Sequence, residues 1–231
     1  ECYSPSPQGT VDILIANNAV AHTAPNISMH SPSLNIIDGS NLIALPGLVD
    51  SLVHISGGGG EGGFHTRTPQ MSLTDASLHG VTTVIGALGT DATTRTLPDL
   101  VAKTKGLNIE GISAYCYTGS YHLPARTITG NVTDDVVLID CMIGVGEVAI
   151  ADHRAAEPTV QALAEVAALL RSKDFNTVEV ALSTTGAQIR PKSGKSADEI
   201  HDVYAAPGLA DDARQAYIAT LRRIARGIDV D

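Results

Sequence analysis

Four runs rich in Val, Ile, Leu and Ala, at residues 47–56, 81–88, 111–117 and 143–151, each stop at a segment of glycine and polar residues. No other feature constrains the fold as strongly. Short, continuous, β-branched runs have the texture of strands covered on both faces, as parallel strands are. Between them lie segments that read as helices. Met71–His79 is one, with Gly80 as its stop, and another lies around Pro98–Leu107 with Leu100, Val101 and Leu107 as apolar positions. Asp134–Met142 is a short one, and Pro158–Arg171 is amphipathic, with Val160, Leu163, Val166 and Leu170 near one face. Strands and helices alternating at this spacing make βα units around a parallel sheet. The loops after the strands then gather at one end, where βα barrels carry their chemistry. One more strand, Thr177–Leu182, and a closing helix, Asp211–Ile228, follow. An eightfold barrel takes about 250 residues, so this chain of 231 residues has room for a partial one.

Residues before 47 have a different texture. Val11–Ile15, Leu34–Ile37 and Leu42–Leu45 are short strand-like runs, separated by turn signals at Asn17-Asn18, Asp38-Gly39 and Pro46-Gly47. The expected organisation is a small β module at 1–46, a partial βα barrel carrying the site loops at 47–185, and a helical tail at 186–231.

The formal net charge of -10 argues against nucleic acid, which needs clustered Lys and Arg, and against an anionic membrane surface. No apolar run reaches the roughly 18 residues of a membrane span. Cys2, Cys116 and Cys141 are too far apart for a zinc knuckle. Cys116 and Cys141 sit in apolar runs and read as core thiols in a reducing, cytoplasmic setting. The first residues show no basic, apolar leader and no initiating Met, as expected of a cytoplasmic, processed chain. Asn26-Ile-Ser and Asn131-Val-Thr match the glycosylation pattern and, without a leader, read as chance.

Four segments at strand ends hold the chemistry-bearing residues. The first is Pro46-Gly-Leu-Val-Asp50 with Val53-His54. A lone histidine at a strand end is more often a hydrogen-bonded core residue than a ligand. The second is Gly57-Gly-Gly-Gly-Glu61-Gly-Gly-Phe-His-Thr66-Arg67-Thr68-Pro69, whose glycines allow close approach of a ligand to the backbone. Gly57, Gly59 and Gly62 also spell a dinucleotide fingerprint. That reading requires a helix opening at the glycines, whereas Pro69 follows first and Glu61 would repel a pyrophosphate. A P-loop fails for want of a Lys-Ser/Thr pair. The third segment combines Gly86-Ala-Leu-Gly-Thr90-Asp91 with Tyr117-Thr-Gly-Ser-Tyr121-His122-Leu-Pro-Ala-Arg126-Thr-Ile-Thr-Gly130. The fourth is Gly144-Val-Gly-Glu147-Val-Ala-Ile-Ala-Asp152-His153-Arg154.

Together these segments resemble the bacterial isoaspartyl (β-aspartyl) dipeptidases of the metal-dependent amidohydrolase superfamily, over residues 11–171 and most strongly over 46–154. The resemblance implies an α/β fold, here an incomplete (β/α) TIM-like barrel with a small N-terminal β-sandwich module. It implies cleavage of β-aspartyl dipeptides by hydroxide activated between two zinc ions. His54 and Glu147 match metal ligands, Glu147 as the carboxylate bridging both ions. Glu61 matches the holder of the substrate's free α-amino group, Arg154 the partner of its α-carboxylate, and Tyr121 the stabiliser of the scissile carbonyl's oxyanion. Gly59 contacts substrate through its backbone, and Thr90 lines the pocket. The resemblance leaves room for a homo-oligomer.

The chain also departs from that pattern. Leu52 stands where the family has the first histidine of an H-x-H pair. Val178–Ser183 has no histidine, and no second histidine strand or SSDG-like aspartate segment follows. His201 reads as part of a surface helix. The rival expectation is therefore a non-catalytic remnant that binds metal or substrate weakly.

Overall fold

A computed structural model describes residues 1–4, 6–150, 152, 154, 158–171 and 179–183. The chain divides into two compact units, Glu1–Leu48 and Val49–Asp231.

The first unit holds two separate ladders. Strands β1 (Cys2–Tyr3) and β2 (Pro7–Gly9) pair antiparallel, as do β3 (Asp12–Ala16) and β4 (Ala19–Ala24). Asn17 and Asn18 join β3 to β4 with φ of 52° and 59°. Two successive positive-φ residues suit a tight hairpin, and Asn tolerates them best after Gly. Leu34–Ile37 and Leu42–Leu45 form no strand, contrary to the expectation; Ala44 alone makes a bridge, to Cys2. No described residue of this unit is buried, and Ile36 and Ile37 remain 79% and 83% exposed. An isolated two-stranded ladder has no second layer to cover an apolar face, so these runs gain nothing from becoming strands. Two ladders are what the described residues show of the expected sandwich.

The second unit is built on a five-stranded sheet of β5 (Leu48–Val53), β6 (Val81–Gly86), β7 (Ser113–Thr118), β8 (Met142–Ala149) and β9 (Glu179–Ser183), in that order. Strands β6 to β9 pair in parallel, and the sheet curls as half a barrel. Its helices are α1 (Leu73–Ser77), α2 (Leu97–Glu110), α3 (Val132–Leu138) and α4 (Val160–Arg171).

Local chemistry sets the helix boundaries. The Ser72 N–H donates to the Asp75 carboxylate at 2.7 Å before α1. Thr96 accepts from the Asp99 N–H at the start of α2, and Gly111 closes that helix at φ 105°. Asn131 accepts from the Asp134 N–H at 2.8 Å, so α3 begins two residues earlier than the sequence predicts, and Met142 already belongs to β8.

Alternation along the strands divides the core. Val84, Ala114, Cys116 and Met142 pack with Leu97, Leu100 and Leu107 of α2. Ile85 and Tyr117 pack together in a separate cluster. Leu163, Val166 and Ala167 of α4 cover Val145 and Val148. Cys116 and Cys141 are buried free thiols with their sulfurs 4.0 Å apart. Asp211–Ile228, His201 and the whole of 186–231 lie outside the described residues. Among those described, no helix is long and apolar enough to cross a membrane.

Leu100 is fully buried and Ile109, on the same helix, is 88% exposed. Leu100→Ala is expected to cost about 2–5 kcal/mol of stability by the usual cavity cost, and Ile109→Ala less than about 0.5 kcal/mol. Urea unfolding of the two variants measures the contrast.

Candidate functional site at the strand ends

His54 follows β5 and enters a slot with glycine on two sides. A Cβ on Gly58 would lie 2.9 Å from its Nδ1, and one on Gly89 would lie 2.9 Å from its Nε2. Both contacts are closer than side-chain carbons come, so these positions must be blank for the ring to fit. Gly89 also has φ of +78°, which a side chain disfavours. Within the slot, His54 Nε2 lies 3.0 Å from Oε2 of Glu147. Glu147 projects from β8 and its side chain is 3% exposed.

The glycine loop folds back on the Thr66–Pro69 segment. The Thr68 N–H donates to the Gly58 carbonyl at 2.9 Å, and the Gly58 N–H donates to the Thr68 hydroxyl at 2.7 Å. Arg95, 5% exposed, donates to the same Gly58 carbonyl at 2.8 Å. These glycines therefore admit protein backbone at close range: a Cβ on Gly57 would lie 2.6 Å from the Thr68 carbonyl. No helix opens at them. A 3-10 turn, Phe64–Thr66, comes next and α1 starts only at Leu73, which removes the dinucleotide reading.

Beyond the glycines, Glu61 meets Arg154. The Arg154 guanidinium donates to Oε1 of Glu61 at 2.7 Å. Its Nε and a second terminal nitrogen grip Asp152 at 2.9 and 2.6 Å, and the Arg154 N–H donates to Asp152 at 2.8 Å. The Asp152 side chain has no exposure at all. A buried carboxylate with several donors is a rigid anchor, and a planar guanidinium held at two nitrogens has one orientation left. The Arg154 carbon Cζ stands 5.5 Å from the centre of the Tyr121 ring, within cation–π range. Tyr121 is 3% exposed and its carbonyl accepts from the Ala149 N–H at 3.1 Å. Asp152, then Glu61, raises the pKa of Arg154. The Glu61 carboxyl is held below the usual carboxylate range, first by its own backbone N–H and then by Arg154.

Gly59, Glu61, Thr90 and Arg154 line one cavity of about 210 Å³, together with Phe64, Arg67 and Asp91. Tyr121 lines another, of about 570 Å³, with the apolar side of α4. The structure thus brings Glu61 and Arg154 together, His54 and Glu147 together, and sets Tyr121 beneath Arg154. Sequence reasoning missed Asp152, Asp91 and Arg95. Asp91 accepts from the N–H groups of Thr93 and Thr94 and lies 3.9 Å from both Arg67 and Arg95. A buried acid two residues before an arginine, as in Asp152-His-Arg154, is the one signal that could have been read.

His54 and Glu147 offer an imidazole nitrogen and a carboxylate oxygen, donors that suit zinc in kind. They do not suffice in number. A catalytic zinc takes about three protein ligands, and among the described residues no group of three or more His, Cys, Asp or Glu is placed to hold an ion.

Parallel βα units with a glycine-bordered, charged cavity at the strand ends define a half-barrel of the kind on which βα-barrel enzymes build their sites. No protein-family model matches the chain. Two solved structures do. A β-aspartyl dipeptidase from the thermophilic, keratin-degrading Fervidobacterium islandicum AW-1, in complex with β-Asp-Leu dipeptide, is 42% identical, with a TM-score of 0.65. A second structure of β-aspartyl dipeptidase from that organism is 43% identical, with a TM-score of 0.64. Each match covers 74% of this chain, which spans 45% and 47% of the two solved chains, less than half of either. Across that stretch the chain is related to the β-aspartyl dipeptidases.

Gly89→Ala is expected to cost more than about 1 kcal/mol, since it adds both strain at positive φ and a clash with His54. Gly106→Ala, in α2 with open space around it, should stabilise by up to about 1 kcal/mol. Imidazole ¹⁵N spectra of the Gly89 variant should show His54 separated from Glu147.

Proposed function

We propose that this chain is a metal-dependent hydrolase of the β-aspartyl dipeptidase type, and that its described part is the half that recognises the dipeptide. The carrying observation is the Glu61–Arg154 pair at 2.7 Å in a cavity of about 210 Å³. A β-aspartyl linkage leaves an α-ammonium and an α-carboxylate on one carbon. Such a zwitterion exchanges with the internal pair: its ammonium takes the place of Arg154 beside Glu61, and its carboxylate that of Glu61 beside Arg154. An α-linked aspartyl dipeptide has lost that carboxylate to the amide and leaves Arg154 unmatched. Asp152 keeps the guanidinium in place during the exchange. Gly59 and Thr90 border the dipeptide, and the Tyr121 hydroxyl is assigned to the scissile carbonyl's developing charge.

His54 and Glu147 would hold zinc, and when bound the ion supplies Lewis-acid activation of water. Its remaining ligands, two ions' worth in such hydrolases, must come from outside the described residues. Leu52, which cannot ligate a metal and stands at the first position of the H-x-H pair, favours a second reading, a chain that binds dipeptide without turning it over. A reducing, cytoplasmic setting suits its buried free thiols.

Three measurements test the reading. By calorimetry with zinc, β-Asp-Leu should bind at least tenfold more tightly than α-Asp-Leu, and Arg154→Ala should abolish the preference, a loss of the size expected for a charge-assisted pair, about 1.5–3 kcal/mol. Equal binding of the two dipeptides would sink recognition. The sign of the pH dependence follows from Glu61. Its depressed pKa keeps the charge present above the ordinary carboxylate midpoint and loses it only as pH falls through a lower one. Binding should therefore survive below about pH 4.3, the ordinary glutamate value, and the carboxyl ¹³C midpoint of Glu61 should move up in Arg154→Met. Zinc-dependent cleavage should be far slower than that of the Fervidobacterium dipeptidases, and Leu52→His alone should not restore it. Turnover comparable to theirs would reject the second reading.

A further inference from the structure

The segment between β7 and α3, residues 119–131, carries Tyr121 and closes on a carboxylate that the functional reading leaves unused. Asp135 sits in α3 and is 0% exposed. One of its oxygens accepts from the Thr118 hydroxyl. The Ile128 N–H reaches both oxygens, at 3.1 and 3.0 Å, and the Thr129 N–H and hydroxyl donate at 2.8 and 2.7 Å. Four donors on two oxygens take up most of what a carboxylate can accept.

The positions of those donors matter more than their number. Thr118 is the last residue of β7, before the loop departs, whereas Ile128 and Thr129 lie on its returning limb. One buried carboxylate thus ties the two limbs together, with Tyr121 between them. Other contacts hold the loop farther out: Arg126 donates to the Ala92 carbonyl at 2.8 Å, just past Thr90, and Ala149 donates to the Tyr121 carbonyl at 3.1 Å. Capping of α3 does not account for Asp135, because Asn131 and Asp134 already perform it.

We propose that Asp135 is a positioning residue, which pins the base of the 119–130 loop and so sets the Tyr121 ring against the Arg154 guanidinium. Its consequence for the dipeptide rests on the functional reading above; the clamp itself does not. Asparagine at this position keeps the shape but turns one acceptor into an NH₂ group that faces N–H and O–H donors.

The test uses the whole chain with ring-¹³C tyrosine, the Tyr121 signal being assigned by Tyr121→Phe. In Asp135→Asn, the Tyr121 ring signal should shift or broaden and amide exchange over 119–130 should rise at least tenfold, with the buried Tyr117 signal unchanged. Thr129→Val removes one donor from an exposed position and should move both readouts in the same direction by less; it decides the matter if Asp135→Asn does not fold. For β-Asp-Leu affinity, Tyr121→Phe should cost several-fold in the parent chain and less than twofold in the Asp135→Asn background, because partners acting as a unit are not additive. Parent-like ring signal and exchange in the variants, or additive affinity losses, overturn the proposal. If the parent chain does not bind β-Asp-Leu, the functional reading fails, and the ring signal and exchange alone decide the clamp.

Discussion

Parallel pairing of β6, β7 and β8 is the constraint from which the site follows. Parallel strands deliver all their C-terminal ends to one edge. Side chains far apart in sequence therefore meet there because the sheet delivers them to the same edge. His54 and Glu147 are 93 residues apart and touch at 3.0 Å, and Glu61 and Arg154, also 93 apart, touch at 2.7 Å. The cores on the sheet hold that register. Leu100 and Leu107 fix α2 on β6 and β7, while Leu163 and Val166 fix α4 on β8.

Electrostatic order at this edge is built outward from buried acids. Asp152 holds Arg154, Arg154 holds Glu61, and Asp135 holds the loop that places Tyr121 beneath Arg154. The half-exposed His54 and Arg154 are each backed by a carboxylate with little or no access to water, Glu147 and Asp152. Preorganisation of this sort lets a pocket offer one fixed arrangement of charge before any ligand arrives.

The βα alternation was legible in the sequence, because strand texture is a local property. The caps Thr96, Asn131 and Gly111 were not read from it, although they mark their boundaries through contacts within a few residues. His54, Glu61, Glu147 and Arg154 were legible as motif positions, although motifs say nothing of whom each side chain touches. Asp135 was not legible. Its partners are N–H and O–H groups that any sequence carries, and only the loop's path brings them to it. Leu34–Ile37 misled for the opposite reason: its apolar pattern is right for a strand, but pattern cannot supply the apposed layer that makes a strand worthwhile. The glycines of 57–60 were legible as a place of close approach, yet what approaches at Gly57 and Gly59 is the backbone of Thr66 and Thr68.

The ion pair between Glu61 and Arg154 has a consequence for how the cavity interacts with salt. The cavity pairs Glu61 with Arg154 at 2.7 Å and sets Asp91 beside Arg67 at 3.9 Å, so its charges balance and it presents little net field to the solution. A zwitterion that replaces each partner by its like leaves the charge sum unchanged. Dissolved ions screen net charge over roughly 8–10 Å, and here there is little net change to screen. The net charge of -10 on the chain bears instead on the rest of such a dipeptide, whose C-terminal carboxylate adds one negative charge beyond the zwitterionic end. At the pair itself, engagement of a zwitterionic group is governed by the fit of two adjacent charges rather than by the ionic strength around them.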